Sequence, residues 1–326
     1  MSDGPWQRGI SVVVPVRSPV AELRTLLASL QVAVGQSPEP AEISVVDDSS
    51  PAGAERHQAN CRPFGARYMR GPRHVGAKRN AGVKNATYDL ILVTHSDCRV
   101  LPDLLKRHSQ TLREACPPVA TVAGPTVVEH GRGRAGRIMR WSLLLNDDLE
   151  RPQRQETVTW ATTTNLVVRR ANFEAVGGFP SESLTVVAGE NVDFGIWFSE
   201  SGRVIMCDPD TVVRHDPGST DSFVTATRRL YTCGRSEQWL CTVHPRRRRF
   251  TVNAFTLAAA LALALGAVMA VRANQLRGGN RSATAVAETL ACAGVDLAFN
   301  LGSLVAAWQL RRPDLLLTEF RPTDAS

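Results

Sequence analysis

His95 and Asp97, two side chains able to hold a divalent cation, stand two positions apart where the apolar run Leu90–Thr94 stops. At a strand end such a pair suits metal or phosphate chemistry; its plainer reading is a loop Asp capping the next helix. Asp47 and Asp48 close a second apolar run, in Asp47-Asp48-Ser49-Ser50-Pro51. Carboxylates there can accept hydrogen bonds from a ribose or a base edge, although the same five residues make a good turn. Arg73, Lys78 and Arg79 form a cationic set that could face a diphosphate or simply water. Glu190 and Asp193 lie three apart, so on a helix they share a face, and acidic residues at a helix start also suit its dipole. His215 ends a further apolar stretch, where a lone His is more often structural than a ligand.

Positioning these residues requires strands that end together. Ile10–Val16 reads as a buried strand, followed by helical spacing at Leu23, Leu26, Leu27 and Leu30, with Pro19 near the helix start. Ile43–Val46 is the next strand, and two successive strand–helix units predict a parallel sheet with right-handed crossovers. A short strand is expected at Arg67–Met69, a helix over Gly76–Ala86, and a fully buried strand from Leu90 to Thr94. Farther on, Pro102–Ala115 reads as a helix, Val119–Val128 as a strand region and Ile138–Leu145 as a helix partly covering the site. The glycine- and arginine-rich stretch Glu129–Arg140 reads as a basic loop, near an anionic acceptor, a membrane surface or plain solvent. Thr162–Arg170 runs from a polar loop into a strand, and Ala171–Val176 is a short helix stopped by Gly177-Gly178. Val204–Met206 and Thr211–Val213 are short strands, the second ending at Arg214-His215-Asp216.

The 326 residues allow one large domain or two ordinary ones, and an apolar fraction of 43% supports a real core. The formal charge of +7 is uneven: residues 1–245 carry 28 Lys+Arg against 26 Asp+Glu, residues 246–326 carry 10 against 5. A basic excess confined to the tail points to an anionic membrane surface and away from nucleic acid. Seven scattered cysteines without a CxxC pair fit a reducing compartment. The first residues, MSDGPWQRG, hold no apolar signal core, so the first domain is expected in the cytoplasm.

Arg246–Arg249 precede an uncharged run, about 250–271, long enough to cross a bilayer. A second segment, about 289–309, contains Asp296 and Asn300 and ends at Arg311-Arg312. Together they predict a membrane anchor over 246–312 with two transmembrane helices and a tail at 313–326. The four arginines place the preceding domain, 1–245, on the cytoplasmic side of the cell membrane. An apolar helical pair packed on the domain is the alternative.

The ordered series SVVVPV, VVDDSS, AKRNAG, LILVTHSDC, TTNLVVRR, VGGFP, GENVDFG and VVRHD resembles the family 2 glycosyltransferases over about Ile10–Leu240. The resemblance implies the GT-A fold, a Rossmann-like mixed, mainly parallel sheet flanked by helices. It implies an inverting transfer from a nucleoside-diphosphate sugar, UDP- or GDP-type, to a hydroxyl acceptor, lipid-linked or part of the cell envelope. Residue by residue it assigns Pro15, Val16, Asp47, Asp48, Arg79, Asn80, Ser96 and Asp97 to the nucleotide sugar. It gives Asp97, with His95 and His215, to a Mn²⁺ or Mg²⁺ ion, and Glu190, or else Asp193, to the acceptor-activating base. Two departures stand out. His95 replaces the first Asp of the DxD motif, which tilts the metal toward manganese; it either joins His215 as a ligand or contacts the ribose or sugar. Asn191 replaces the Asp of the GED-like motif, and an amide cannot act as a base. The alternative function is therefore a catalytically weak relative serving as a membrane scaffold or binding subunit. Arg228, Arg229, Tyr231, Arg235 and Trp239 form a basic-aromatic helix, but Glu237-Gln238-Trp239 lacks the QxxRW pattern of processive relatives, so a single transfer is expected.

Overall fold

A computed structural model describes residues 6–17, 21–129, 149–181, 188–216, 222–250 and 297–312, with a few positions between and beyond. The chain divides into two compact units, the first comprising Met1–Glu129, Asp148–Thr185 and Glu190–Pro217 and the second the remainder.

The first unit is built on an eight-stranded sheet of order β3-β2-β1-β4-β9-β6-β10-β8. Its members are β1 (Gln7–Val16), β2 (Ala41–Asp47), β3 (Arg67–Arg70), β4 (Tyr88–Val93), β6 (Val119–Ala123), β8 (Thr157–Val158), β9 (Leu166–Arg169) and β10 (Val204–Cys207). β1, β2, β3 and β4 pair in parallel, as do β6 and β10. β9 runs antiparallel to both β4 and β6 and joins the two halves. The sheet is therefore mixed and mainly parallel, as expected.

The apolar runs explain the order. β1 and β4 are wholly apolar at their centres because helices cover both faces. Alternate residues go opposite ways. Val12, Val14, Val45 and Leu92 pack with Leu23, Leu26, Leu27 and Leu30 of α1 (Ala21–Gln36) and Leu104, Leu105 and Leu112 of α4 (Leu104–Glu114). Val13, Val46, Ile91 and Val93 pack with Val83 of α3 (Val75–Lys84) and a wall of Phe173, Phe179, Phe194 and Phe198. α3 lies close to β1 because position 82 is glycine: a Cβ there would stand 2.3 Å from a Val13 methyl carbon. α2 (Pro51–Cys61), α5 (Arg170–Ala175) and α6 (Glu190–Glu200) complete the described helices of this unit.

A separate three-stranded sheet, β5 (Cys98–Val100), β11 (Val213–His215) and β7 (Thr126–Val128), flanks the main one. Here one expectation is corrected. The strand expected to stop at Val213 starts there, and His215 lies within it. Its alternation explains the difference: Val213 and His215 are buried while Arg214 points outward.

In the second unit, α7 (Phe223–Val243) carries the basic-aromatic residues and begins at Ser222, whose hydroxyl accepts from the Thr225 amide at 3.2 Å. It packs on a helix over 297–309 through Ala226, Leu230 and Ala298. The Ser303 hydroxyl donates to the Gly234 carbonyl at 3.0 Å. β12 (Arg248–Phe250) pairs antiparallel with β13 (Thr318–Phe320). No helix among the described residues is long and apolar enough to cross a membrane. The anchor expected over 250–271 lies outside the described residues apart from its first and one interior position, as do Ile138–Leu145, residues 130–140 and most of 289–296.

Candidate active site

β4 stops at Val93 because the next side chain turns to the backbone: the Thr94 hydroxyl donates to the Thr164 carbonyl at 2.8 Å. A turn follows, closed by the Cys98 amide on the His95 carbonyl at 3.2 Å. β5 then pairs with β11 so that Cys98 faces His215, and the Asp216 amide donates to the Asp97 carbonyl at 2.9 Å. This register brings Asp97 Oδ2 to 3.0 Å from His215 Nε2. One donor atom from each of His95, Asp97 and His215 falls within 4.8 Å of the others. Residues 120 positions apart thus meet through strand pairing, with Ser96 half-buried between the first two.

The trio fits a divalent cation. Asp97 Oδ1 is buried without a hydrogen-bond partner, an arrangement costly for a carboxylate unless a cation or solvent completes it. Asp97 Oδ2 and His215 Nε2, 3.0 Å apart, would be the atoms nearest to hand for such a cation. Burial pushes the Asp97 carboxyl up, but the hydrogen bond and charge of His215, with help from His95, outweigh it and hold the pKa at about 2. A depressed carboxyl adds stability above its ordinary value of 3.8 that is lost as the pH falls toward 2. Asp97→Asn is therefore expected to flatten the stability decline between about pH 4 and pH 2, measured by urea midpoints against pH. An unchanged acid limb would refute the coupling.

Beneath the trio lies a buried brace. Arg79, on α3, places Nη1 2.6 Å from Glu190 Oε1 and Nη2 2.6 Å from Thr163 Oγ1. Nη2 is also 3.2 Å from His95 Nε2, which is itself 3.1 Å from Thr163 Oγ1. The guanidinium lies over the Phe179 ring at 5.1 Å. Asn80 holds Phe179 in place, donating to its carbonyl at 2.8 Å and accepting from its amide at 2.9 Å. Two glycines let this loop close on α3: Gly178 sits at φ +73°, and a Cβ at Gly76 would lie 2.6 Å from the Pro180 carbonyl oxygen. Arg79 and Asn80, expected to line the nucleotide, thus have their side chains committed to internal partners.

Glu190 opens α6, where the helix dipole favours a negative charge. Burial pushes its carboxyl up, but the charge and hydrogen bond of Arg79 prevail and hold it below the ordinary carboxylate range. Asn191 donates to the Ala161 carbonyl at 3.2 Å, and Asp193 is buried on the same helix nearly one turn later.

The two carboxylates at the end of β2, Asp47 and Asp48, separate. Asp47 is fully buried and meets the Ser49 amide at 2.8 Å, the Tyr68 hydroxyl at 2.8 Å, His57 Nδ1 at 3.1 Å and Arg70 at 3.2 Å. Asp48 Oδ1 takes Lys78 Nζ at 2.6 Å, and that ammonium also donates to the Val16 carbonyl at 2.8 Å. Asp48 Oδ2 is buried without a hydrogen-bond partner. Pro15 and Val16, at the end of β1, are buried beside them. Thr163, Phe179 and His57 escaped the sequence reading. Only the polar run Thr162-Thr163-Thr164-Asn165 before a strand hinted at the first.

With this geometry, the comparison with known proteins is direct. Residues 11–177 match glycosyl transferase family 2. The chain belongs to that family. Over 221 residues it is 27% identical to the pre-mycofactocin glycosyltransferase of Mycobacterium tuberculosis, covering 65% of this chain and 44% of that protein. The chain thus spans less than half the length of this relative. A mannosyltransferase from Pyrobaculum calidifontis, solved with GDP-Man and Mn²⁺, superposes with a TM-score of 0.58 at 18% identity, over 94% of this chain and 91% of that one. The similarity shows that the family 2 chain has a mixed α/β, GT-A-like fold.

Proposed function

We propose that this family 2 protein transfers a sugar, with inversion, from a nucleoside-diphosphate sugar to a hydroxyl acceptor. The observation that carries the reading is the Asp97–His215 pair at the end of β4, joined through His95 and Arg79 to the ionised Glu190. Asp97 and His215 would hold a divalent cation, with Mn²⁺ preferred because of the imidazole. Such an ion neutralises charge developing on a departing diphosphate. Asp48, beside Lys78 and with its other oxygen in a longer ion pair to Arg17 at 3.9 Å, suits the nucleoside side of the site. Glu190 takes the acceptor proton, with Asp193 as the other candidate. A nucleotide-sugar donor and a divalent metal are supported by the Pyrobaculum mannosyltransferase, which was solved with GDP-Man and Mn²⁺.

The decisive experiment presents purified protein and Mn²⁺ with a panel of UDP- and GDP-sugars, following donor hydrolysis, transfer to hydroxyl acceptors and nucleotide binding. Manganese-dependent turnover of one donor is expected; absence of all three signals would refute the reading.

The reading extends to a cell-membrane location with the catalytic unit facing the cytoplasm and a lipid-linked or cell-envelope acceptor. Its support is the uncharged run after Arg246–Arg249. Resistance of the full chain to alkaline carbonate extraction is the expected result, and release into the supernatant would argue against an anchor.

A further inference from the structure

We infer that His108 and Asn165 are positioning residues for the metal pair. His108 fixes the Asn165 amide, the amide clamps the starts of β7 and β11, and β11 sets His215 against Asp97. The inference rests on the proposed function for the cation, whereas the clamp itself is independent of it. Asn165 is fully buried just ahead of β9. Its Nδ2 donates to the Pro125 carbonyl at 3.3 Å and also to the Thr211 carbonyl. Pro125 immediately precedes β7, and Thr211 lies shortly before β11. The Val213 amide donates to the same Pro125 carbonyl at 3.1 Å, so both strands of the small sheet start from one side chain of the main one. Position 124 has to be glycine for this approach, since a Cβ there would stand 2.3 Å from Asn165 Nδ2 and 2.1 Å from the Thr211 carbonyl oxygen.

The two carbonyls decide where His108 carries its proton. A carbonyl only accepts, so the amide nitrogen must face Pro125 and Thr211, and the amide oxygen must face His108. That oxygen lies 2.7 Å from His108 Nε2, which therefore donates. Burial lowers the pKa of the ring against the opposing Asn165 bond, and the imidazole stays neutral. Its Nδ1 is buried without a hydrogen-bond partner among the described residues. A leucine on α4 would fill the space without leaving a bare nitrogen, so the histidine is explained by the bond it donates.

α4 grips the same lead-in at a second point. Thr111 shares a helix face with His108 and donates to Asp208 Oδ2 at 2.9 Å. The Asp208 carbonyl in turn accepts from the Thr211 hydroxyl at 2.9 Å. From Thr211 the chain runs directly into β11, where His215 is buried and Arg214 exposed. A slip of one residue would turn Arg214 inward and break the bond from the Asp216 amide to the Asp97 carbonyl.

The test compares full-length wild type, His108→Leu, His108→Gln and Ile43→Ala by EPR-detected Mn²⁺ titration and by amide hydrogen exchange of the metal-free protein. His108→Leu should weaken Mn²⁺ binding at least about tenfold, the lower end for loss of a group that supports a metal ligand. It should also speed exchange of the Asp216 and Glu129 amides, which donate to the Asp97 and His215 carbonyls, more than exchange in β1. His108→Gln, whose side-chain amide can donate to Asn165 Oδ1, should restore both readouts to within about threefold. Ile43→Ala, a core truncation on β2, should lower the melting temperature and leave Mn²⁺ affinity unchanged. Unchanged affinity and exchange in His108→Leu, or an equal loss of affinity in Ile43→Ala, would overturn the inference. Should His108→Leu fail to fold, Thr111→Val tests the second grip, and exchange of the same two amides no faster than in β1 would be equally fatal. If wild type binds no Mn²⁺, the metal reading fails, while the exchange pattern still decides whether the clamp sets His215.

Discussion

Glu190→Gln is expected to lower sugar transfer by about 10²- to 10⁴-fold, the usual span for losing a positioned general base. Nucleotide affinity should stay within about threefold. The amide keeps an oxygen for Arg79 Nη1 and fits the same space, so the change removes proton affinity more than structure. Because Arg79 holds this carboxyl below its ordinary range, Glu190 is ionised at neutral pH and transfer should fall only as the pH drops into the carboxylate region. Asp193→Asn, measured in parallel, separates the two candidates: full turnover in Glu190→Gln with a collapse in Asp193→Asn would move the base one helical turn along α6. Asn191 argues little for an inactive protein, since its amide is used to hold the Ala161 carbonyl beneath the helix.

The parts of this arrangement that could be read from residues alone are those governed by short-range rules. Leu90–Val93 could hardly be anything but a doubly buried strand, and the side chains after it had to reach a sheet edge. Glu190 and Asp193 share α6 because their spacing leaves few alternatives. The pairing of Asp97 with His215 is different in kind. It depends on β5 and β11, each three residues long, meeting in one register, and a shift of one residue would turn His215 to the opposite face. Strands that short carry almost no periodic signal, so their partner is fixed by the rest of the fold. Arg79 illustrates the other limit. A cation on a glycine-containing helix suggests an anion in solvent or ligand, yet its anion is Glu190, 111 positions away. Asp47 shows the same pattern, since the four donors around it come from α2, β3 and the turn after β2.

Arg79→Met should have the largest effect on stability, about 3–5 kcal/mol, the usual cost of removing one partner from a buried ion pair. The Arg79 and Glu190 side chains are 2% and 8% exposed, so solvent offers the abandoned carboxylate little relief. The methionine can still cover Phe179, which confines the loss mainly to charge and hydrogen bonding. Glu190→Gln alone should cost less, because Arg79 retains Thr163 and the amide oxygen. The double variant should recover part of the Arg79→Met loss, since a neutral amide is cheaper to bury than an unpaired carboxylate. A double-mutant cycle from urea midpoints would give this coupling directly. A loss below about 1 kcal/mol in Arg79→Met, or strict additivity in the cycle, would mean the pair is weakly coupled, and the brace beneath the site would then have to be assigned to Phe179 and Asn80 instead.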